Sequence, residues 1–298
     1  MFLNLVKAFA SKKLSRRAEC VADNIDLSIL RNVFCVAVGA LFIALANGAD
    51  FSIPPLGILI CLLSGAFMSV NYVAWVMALK TDAIVFASTA NNANFIVVGV
   101  LGIFVFGEHL SLSKGIAILL IFAAMFFMVK FQRGIGGAPK LRDAVLLFLV
   151  FLCGGISSVT EKCFSKYVVG VSSHIYTFYA FLFAILWLLA ARIFIRQPSA
   201  VKFAERKEKL FGFLPYALVM GIAIYGVTYF KTLANSYLDT IVLYPLNNGL
   251  TLVGSCIMAW ICFKEKPNKN CVIGMILIFL ALLLSSGTLE QIIGRLSA

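Results

Sequence analysis

The chain has 298 residues, 62% of them hydrophobic and 13% charged, with a mean hydropathy of +1.00. That much apolar surface cannot be hidden in one soluble core and must face lipid, which excludes a soluble enzyme. A formal net charge of +12 raises nucleic acid as a partner, but the 25 Lys and Arg sit in short segments between apolar runs, so none is expected.

Only helices and closed barrels satisfy their backbone polar groups in hydrocarbon, and long unbroken apolar runs, unlike short alternating segments, mean helices. Runs of about 17 to 25 apolar residues predict nine spans, at 29 to 46, 53 to 79, 83 to 107, 115 to 131, 142 to 163, 174 to 195, 210 to 234, 238 to 263 and 270 to 286. Breakers agree with those ends: Asn47-Gly48 and Pro54-Pro55 separate the first two runs, Gly134 through Pro139 the fourth and fifth, and Gln197-Pro198 the sixth and seventh. The amino terminus lacks the order of a secretory signal, because its charges follow a short apolar stretch, so targeting falls to the first spanning helix. Cys35, Cys61, Cys153, Cys163 and Cys256 lie inside apolar runs with no CxxC spacing and read as packing residues, with no metal site and no disulfide.

Nine alternating spans define two faces. One carries nineteen Lys and Arg, the other five, namely Lys114, Lys162, Lys166, Lys231 and Arg295, while Arg31 lies just inside the first run. By the positive-inside rule the basic loops are cytoplasmic and the carboxyl terminus lies outside, in a cell membrane of the bacterial inner-membrane kind.

The chain also repeats itself at an offset of 157 residues. Tyr72 falls on Tyr229, Asp82 on Asp239, Ile84-Val85 on Ile241-Val242, Asn91 on Asn248 and Glu108 on Glu265. The copies begin an odd number of helices apart, so the second is inverted relative to the first, a plan that places a binding site where the repeats meet. Two short junctions, Ala78-Leu79-Lys80-Thr81-Asp82-Ala83 and Leu233-Ala234-Asn235-Ser236-Tyr237-Leu238-Asp239-Thr240, each precede a helix that ends in Phe106-Gly107-Glu108 or Phe263-Lys264-Glu265. On these residues the chain resembles the EamA-like branch of the drug/metabolite transporter superfamily, whose members have two inverted five-helix repeats.

That resemblance implies repeats at 1–133 and 140–298, in an all-α integral membrane protein built as an inverted-repeat helical bundle. A family member has ten spans. Here the first would be partial, with residues 1 to 13 its last part when Ser11-Lys12 is aligned with Ser165-Lys166. Either the true start lies upstream, or Phe2, Leu3, Leu5, Val6 and Phe9 form a short interfacial helix.

Polar residues at helical spacing inside apolar runs mark the working face of such a bundle, because lipid does not tolerate them. The third run offers Ser88, Asn91, Asn92 and Asn94, and its repeat partner Tyr244, Asn247, Asn248 and Thr251. The seventh offers Tyr225, Thr228, Tyr229 and Thr232, matched weakly by Ser69, Asn71 and Tyr72 in the second. Asn supplies a donor and an acceptor for a zwitterion, hydroxyl or amide, and Tyr clamps an apolar part; alternatively the Asn bridge helices.

Glu161 is the candidate for proton coupling, with an interfacial carboxylate paired to Lys162 or Lys166 as the alternative. Lys231 is a cavity charge or a snorkelling side chain. Glu108 and Glu265 read as solvated or helix-capping carboxylates, and Pro245 as a hinge or a packing kink. His109 and His174 fall at span ends and form no metal cage.

The sequence holds no Walker A pattern, and no Ser/Lys, paired Asp or His cluster inside spans, so neither ATP drive, catalysis nor a cofactor is expected. The expected partners are the lipid bilayer and a small-molecule substrate, with protons as coupling ion. A secondary transporter of a small polar metabolite, such as an amino acid, comes first. A broad exporter of amphipathic drugs and a non-transporting receptor or scaffold are the alternatives.

Overall fold

Where they are described, the apolar runs fold as helices. The computed structural model describes residues 3, 6, 21–46, 48–79, 90, 91, 93–108, 112–130, 141–194, 203–263 and 269–285. Among these the regular elements are helices joined by turns: α1 (Val21–Ala46), α2 (Pro55–Leu79), α3 (Phe95–Phe106), α4 (Leu112–Lys130), α5 (Leu141–Tyr167), α6 (Ser173–Phe194), α7 (Phe203–Asn235), α8 (Thr240–Phe263) and α9 (Lys269–Ser285).

Turn chemistry sets the boundaries. After α1 the chain reverses through Gly48 and Ala49, both at positive φ, and Asp50 accepts a 2.9 Å hydrogen bond from the Ser52 amide. Pro55 then opens α2, where its missing N–H costs nothing because the first turn has no intrahelical acceptor for it. Gly107 ends α3 at φ 67°, its amide returning to Ile103 and that of Glu108 to Gly102, a left-handed stop that a side chain would strain.

Three helices depart from the hydropathy reading. α1 starts at Val21, not 29, because Asn24 is buried and Asp26 is paired with Arg192 of α6 at 3.3 Å, so polar residues that look like a loop are held inside the bundle. α3 is interrupted rather than continuous, since Ala90, Asn91 and Ala93 are helical but a turn at Asn94 precedes Phe95–Phe106; residues 83–89 of that run lie outside the described residues. α7 begins at Phe203 and carries helix through the charged stretch before its apolar part.

Among the described residues, five segments are long and apolar enough to cross a membrane: Ala22–Ala46, Pro55–Trp75, Ala144–Tyr167, Ser173–Phe194 and Leu214–Asn235. Phe95–Phe106, Gly115–Ala124 and Val272–Ala281 are shorter apolar helices. Large apolar side chains point outward, with Phe104 81% and Phe194 86% exposed, while Asn32, Thr177, Thr232 and Glu161 are buried. In water that arrangement would be unstable; in lipid it matches each face to its solvent.

The most extensive packing joins α2 to α5, α4 to α9 and α1 to α6. Apolar clusters form where α3, α4 and α8 meet, around Phe95, Val98, Ile121 and Leu243, and where α1, α6 and α7 meet, around Cys35, Phe181 and Met220. Cys35, Cys61 and Cys153 are buried free thiols and Cys163 is a half-buried one.

Candidate functional site

A cavity of about 270 Å³ lies within the bundle, walled by α1, α2, the residues leading into α3, and α5 to α8. Four helices each contribute residues spaced i, i+3, i+4, i+7, the set that shares one helical face. In α8 these are Tyr244, Asn247, Asn248 and Thr251; in α5, Gly154, Ser157, Ser158 and Glu161. In α7 they are Ile224, Val227, Thr228 and Lys231; in α2, Met68, Asn71, Tyr72 and Trp75. Asn91, on a helical stretch, and Asn94, in the turn that follows it, line the cavity ahead of α3.

Of the residues singled out in the sequence, Asn71, Tyr72, Asn91, Thr228, Tyr244 and Glu161 thus meet at one cavity, together with Asn247, Asn248 and Thr251. Ser88 and Asn92 lie outside the described residues, as do His109 and Glu265. Pro245 is buried in α8 beside the wall residue Tyr244, and its ring removes the N–H that would bond the carbonyl of Ile241. Tyr225 and Tyr229 are not wall residues. Their rings lie beside His174, which stacks on Tyr229 at 4.0 Å and shares a 2.6 Å hydrogen bond between its Nδ1 and the Tyr225 hydroxyl. The predicted stripe on α7 ran through Tyr225, Thr228 and Tyr229; the cavity stripe is shifted by one position, about 100° around the helix.

The asparagines line the cavity and also bridge helices. Asn71 Nδ2 donates to the Val150 carbonyl at 2.7 Å, tying α2 to α5, and Asn248 Nδ2 donates to Asn94 Oδ1 at 3.3 Å, tying α8 to the start of α3. These contacts require a bare backbone on α5. A Cβ on Gly154 would stand 2.8 Å from Asn71 Nδ2 and 2.9 Å from Asn94 Nδ2, and one on Gly155 would overlap Val97.

At one end of the cavity Glu161, 3% exposed, forms an ion pair with Lys231 at 3.0 Å. The Tyr244 hydroxyl lies 3.0 Å from Glu161 Oε2 and 2.7 Å from the Ser158 carbonyl, with one proton to donate between them, and accepts from Asn235 Nδ2 at 2.9 Å. This corrects both local pairings expected from the sequence. Lys162 donates instead to the carbonyls of Asn235 and Leu238, each at 2.7 Å, and Lys166 to that of Phe106 at 3.0 Å. Lys231 does not snorkel; it is the counter-ion.

Beyond this layer a second cavity of about 510 Å³ lies at the helix ends, bounded by Phe106, Glu108, Lys162, Lys166, Asn235 and Asp239. The Asn235–Tyr244 hydrogen bond therefore spans from the wall of one cavity to the wall of the other. Glu108 caps a helix, but not its own: its carboxylate accepts from the Thr240 amide at 2.9 Å, the Thr240 hydroxyl at 2.6 Å and the Ile241 amide at 3.1 Å. A carboxylate at the positive end of α8 satisfies amides that the helix itself cannot. The Phe106-Gly107-Glu108 signature is thus a stop for α3 followed by a cap for α8.

Arg31 marks the other end, and sequence reasoning passed over it as a residue just inside the first run. It is 7% exposed, its Nε and Nη2 both donate to Asn32 Oδ1 at 3.2 and 3.1 Å, and its guanidinium lies 4.2 Å over the Tyr72 ring. The signal was present: a base within an apolar run is costly unless it serves a site. Among the described residues no group of three or more His, Cys, Asp or Glu is placed to hold a metal ion.

The EamA-like transporter family model matches residues 8–130. No curated protein matches the chain. A crystal structure of a protein 16% identical in sequence superposes with a TM-score of 0.74, covering 98% of this chain and 96% of that one, a likeness of fold. The chain is a multi-pass membrane protein, and through residues 8–130 it is similar to the EamA-like transporter family, membrane transporters of the drug/metabolite type.

Proposed function

We propose that the protein is a secondary transporter that carries a small polar metabolite, amino acid-like in size, by alternating access. The two moving parts are inverted halves, residues 1–133 and 140–298. The observation that carries this reading is the pair of cavities divided by one layer of polar bonds, Lys231–Glu161–Tyr244–Asn235. Breaking that layer would join the cavities, and closing the bundle elsewhere would seal the first one off. The strongest helix pairings, α1 with α6, α2 with α5 and α4 with α9, each join one half to the other, as two halves rocking about a shared site require.

Glu161 is the proposed proton carrier. Protonation would cancel its attraction to Lys231 and release the layer, so proton binding and opening are coupled through one ion pair. The test is uptake into proteoliposomes under an imposed pH gradient. Glu161→Gln combined with Lys231→Met should abolish gradient-driven accumulation while leaving exchange of substrate across the membrane. Accumulation at wild-type level in that variant removes Glu161 from the coupling step.

The apolar part of the wall, Met68, Phe181, Leu188, Met220 and Ile224, favours a second reading, export of amphipathic drugs. The volume favours the first, since pockets for drug-sized ligands run to about 300–1,000 Å³. Orientation follows the charge bias, with the basic loops in the cytoplasm of a cell membrane and the carboxyl terminus outside; a reporter fused after Ala298 and active only in the cytoplasm reverses it.

A further inference from the structure

We propose that the cavity selects cargo with one net negative charge, a monocarboxylate on a small apolar body, and that Arg31 binds the carboxylate. This rests on reading the cavity as the substrate site, and it narrows the substrate class.

Three wall residues are charged: Arg31, Glu161 and Lys231. Glu161 and Lys231 neutralise each other at 3.0 Å, which leaves the described wall residues with a net charge of one, on Arg31. Among the described residues Arg31 has no carboxylate partner. Of the guanidinium's five N–H groups, those on Nε and Nη2 reach one acceptor, the neutral Asn32 Oδ1, and the ring of Tyr72 covers one face. A cation so deeply buried needs an anion to balance its desolvation. Asp26, a nearby acid on the same helix, is engaged with Arg192. Trp75 stands at the same end, its ring 6.2 Å from that of Tyr72, and its buried indole N–H has no acceptor among the described residues. Donors thus accumulate here and acceptors are short.

A carboxylate supplies what is missing: one negative charge and two oxygens matched to the guanidinium fork. The amino group of a zwitterion gains nothing comparable, because Glu161 is already occupied by Lys231 and Tyr244. A dianion would leave one charge unmatched. Beyond Arg31 the wall of Met68, Phe181, Leu188, Met220 and Ile224 suits an apolar body.

The test is thermal melting of the purified full chain with isoskeletal probes: isocaproate, its amide, isoamylamine and leucine, with phenylacetate, its amide, phenethylamine and phenylalanine as the aromatic set. The carboxylate of at least one skeleton should raise the melting temperature above its amide, amine and amino acid. Arg31→Gln should weaken that carboxylate by about tenfold to a hundredfold, the worth of a charge-assisted hydrogen bond. Arg31→Lys, which keeps the charge but loses the fork, should fall between.

Without ligand, Arg31→Gln should melt no lower than wild type, since it deletes an uncompensated buried charge; a marked fall makes the arginine structural and overturns the proposal. Equal stabilisation by carboxylate and amide in both skeletons also overturns it, as does equal stabilisation by chloride or phosphate. Flux into vesicles is measured separately. Carboxylate preference without flux of any solute would keep the anion site and defeat the transport reading, whereas flux indifferent to charge would do the reverse.

Discussion

At one end of the cavity Glu161 and Lys231 sit 3.0 Å apart, with the Tyr244 hydroxyl, the Ser158 carbonyl and Asn235 closing the set. At the other, Arg31 leans on a neutral amide and an aromatic face. Both ends bury charge, yet among the described residues only the first is compensated. A compensated network holds helices together and resists change until a proton or a partner disturbs it. An uncompensated charge stores a cost that an incoming ligand can relieve. The difference separates a closure from a binding group, although each is built around a buried base, an asparagine and a tyrosine.

The comparison is broken most severely by removing half of the compensated pair. Glu161→Gln leaves Lys231 without its counter-ion and should cost about 3 to 5 kcal/mol, read as a lower melting temperature in detergent. The double variant Glu161→Gln/Lys231→Met should recover most of that loss, because an apolar pair of similar shape is tolerated where a lone charge is not. A single variant as stable as wild type would mean that the pair contributes no closure. At the opposite end the same logic gives the opposite sign for Arg31→Gln.

A smaller effect is expected midway along the wall. Gly155→Ala places a methyl group against the Cβ of Val97 and should destabilise by about 1 to 3 kcal/mol, read as a lower melting temperature. The substitution also pushes on the Asn94 carbonyl, 3.0 Å from the new carbon, so substrate affinity should fall with stability. Affinity that holds while stability drops would detach Asn94–Asn248 from the working wall.

Beside the compensated end, Glu108→Ala removes the cap of α8 and should cost about 0.5 to 2 kcal/mol in melting experiments. An unchanged melting point would show that water replaces the carboxylate without penalty. The smallest effect belongs to the loop outside both cavities. Ser52 donates hydrogen bonds to Asp50 from its hydroxyl and its amide, holding the carboxyl below the usual carboxylate range. Because the folded value is the lower one, this contribution is present above the unfolded value and is lost as the pH falls through the folded one. Asp50→Asn should differ only slightly from wild type at neutral pH, and the difference should vanish in acid; a growing difference in acid would reverse the assignment.

Much of this molecule was legible in the sequence. Runs of apolar residues placed the helices because lipid imposes length and composition on each span separately. On α8 the polar stripe of Tyr244, Asn247, Asn248 and Thr251 lies on one face, and that face lines the cavity. On α7 the same reasoning chose Tyr225 and Tyr229, one position away from the residues that do. Periodicity shows that a polar face exists but not what lies opposite, and the Tyr225 and Tyr229 rings found His174 instead. The start of α1 was missed for a related reason, since Asn24 and Asp26 look like loop residues until α6 supplies Arg192.

The sequence alone therefore determined that the chain is a helical membrane protein, where its helices fall and which carry polar faces. These are properties of short segments in a known solvent. Only the tertiary structure decided that Glu161 pairs with Lys231 and not with Lys162 or Lys166, that Glu108 caps a helix 132 residues away, and that Arg31, inside a cavity, has no counter-ion among the described residues. Charge compensation is a relation between helices, fixed by which of them touch, and no window along the chain contains it.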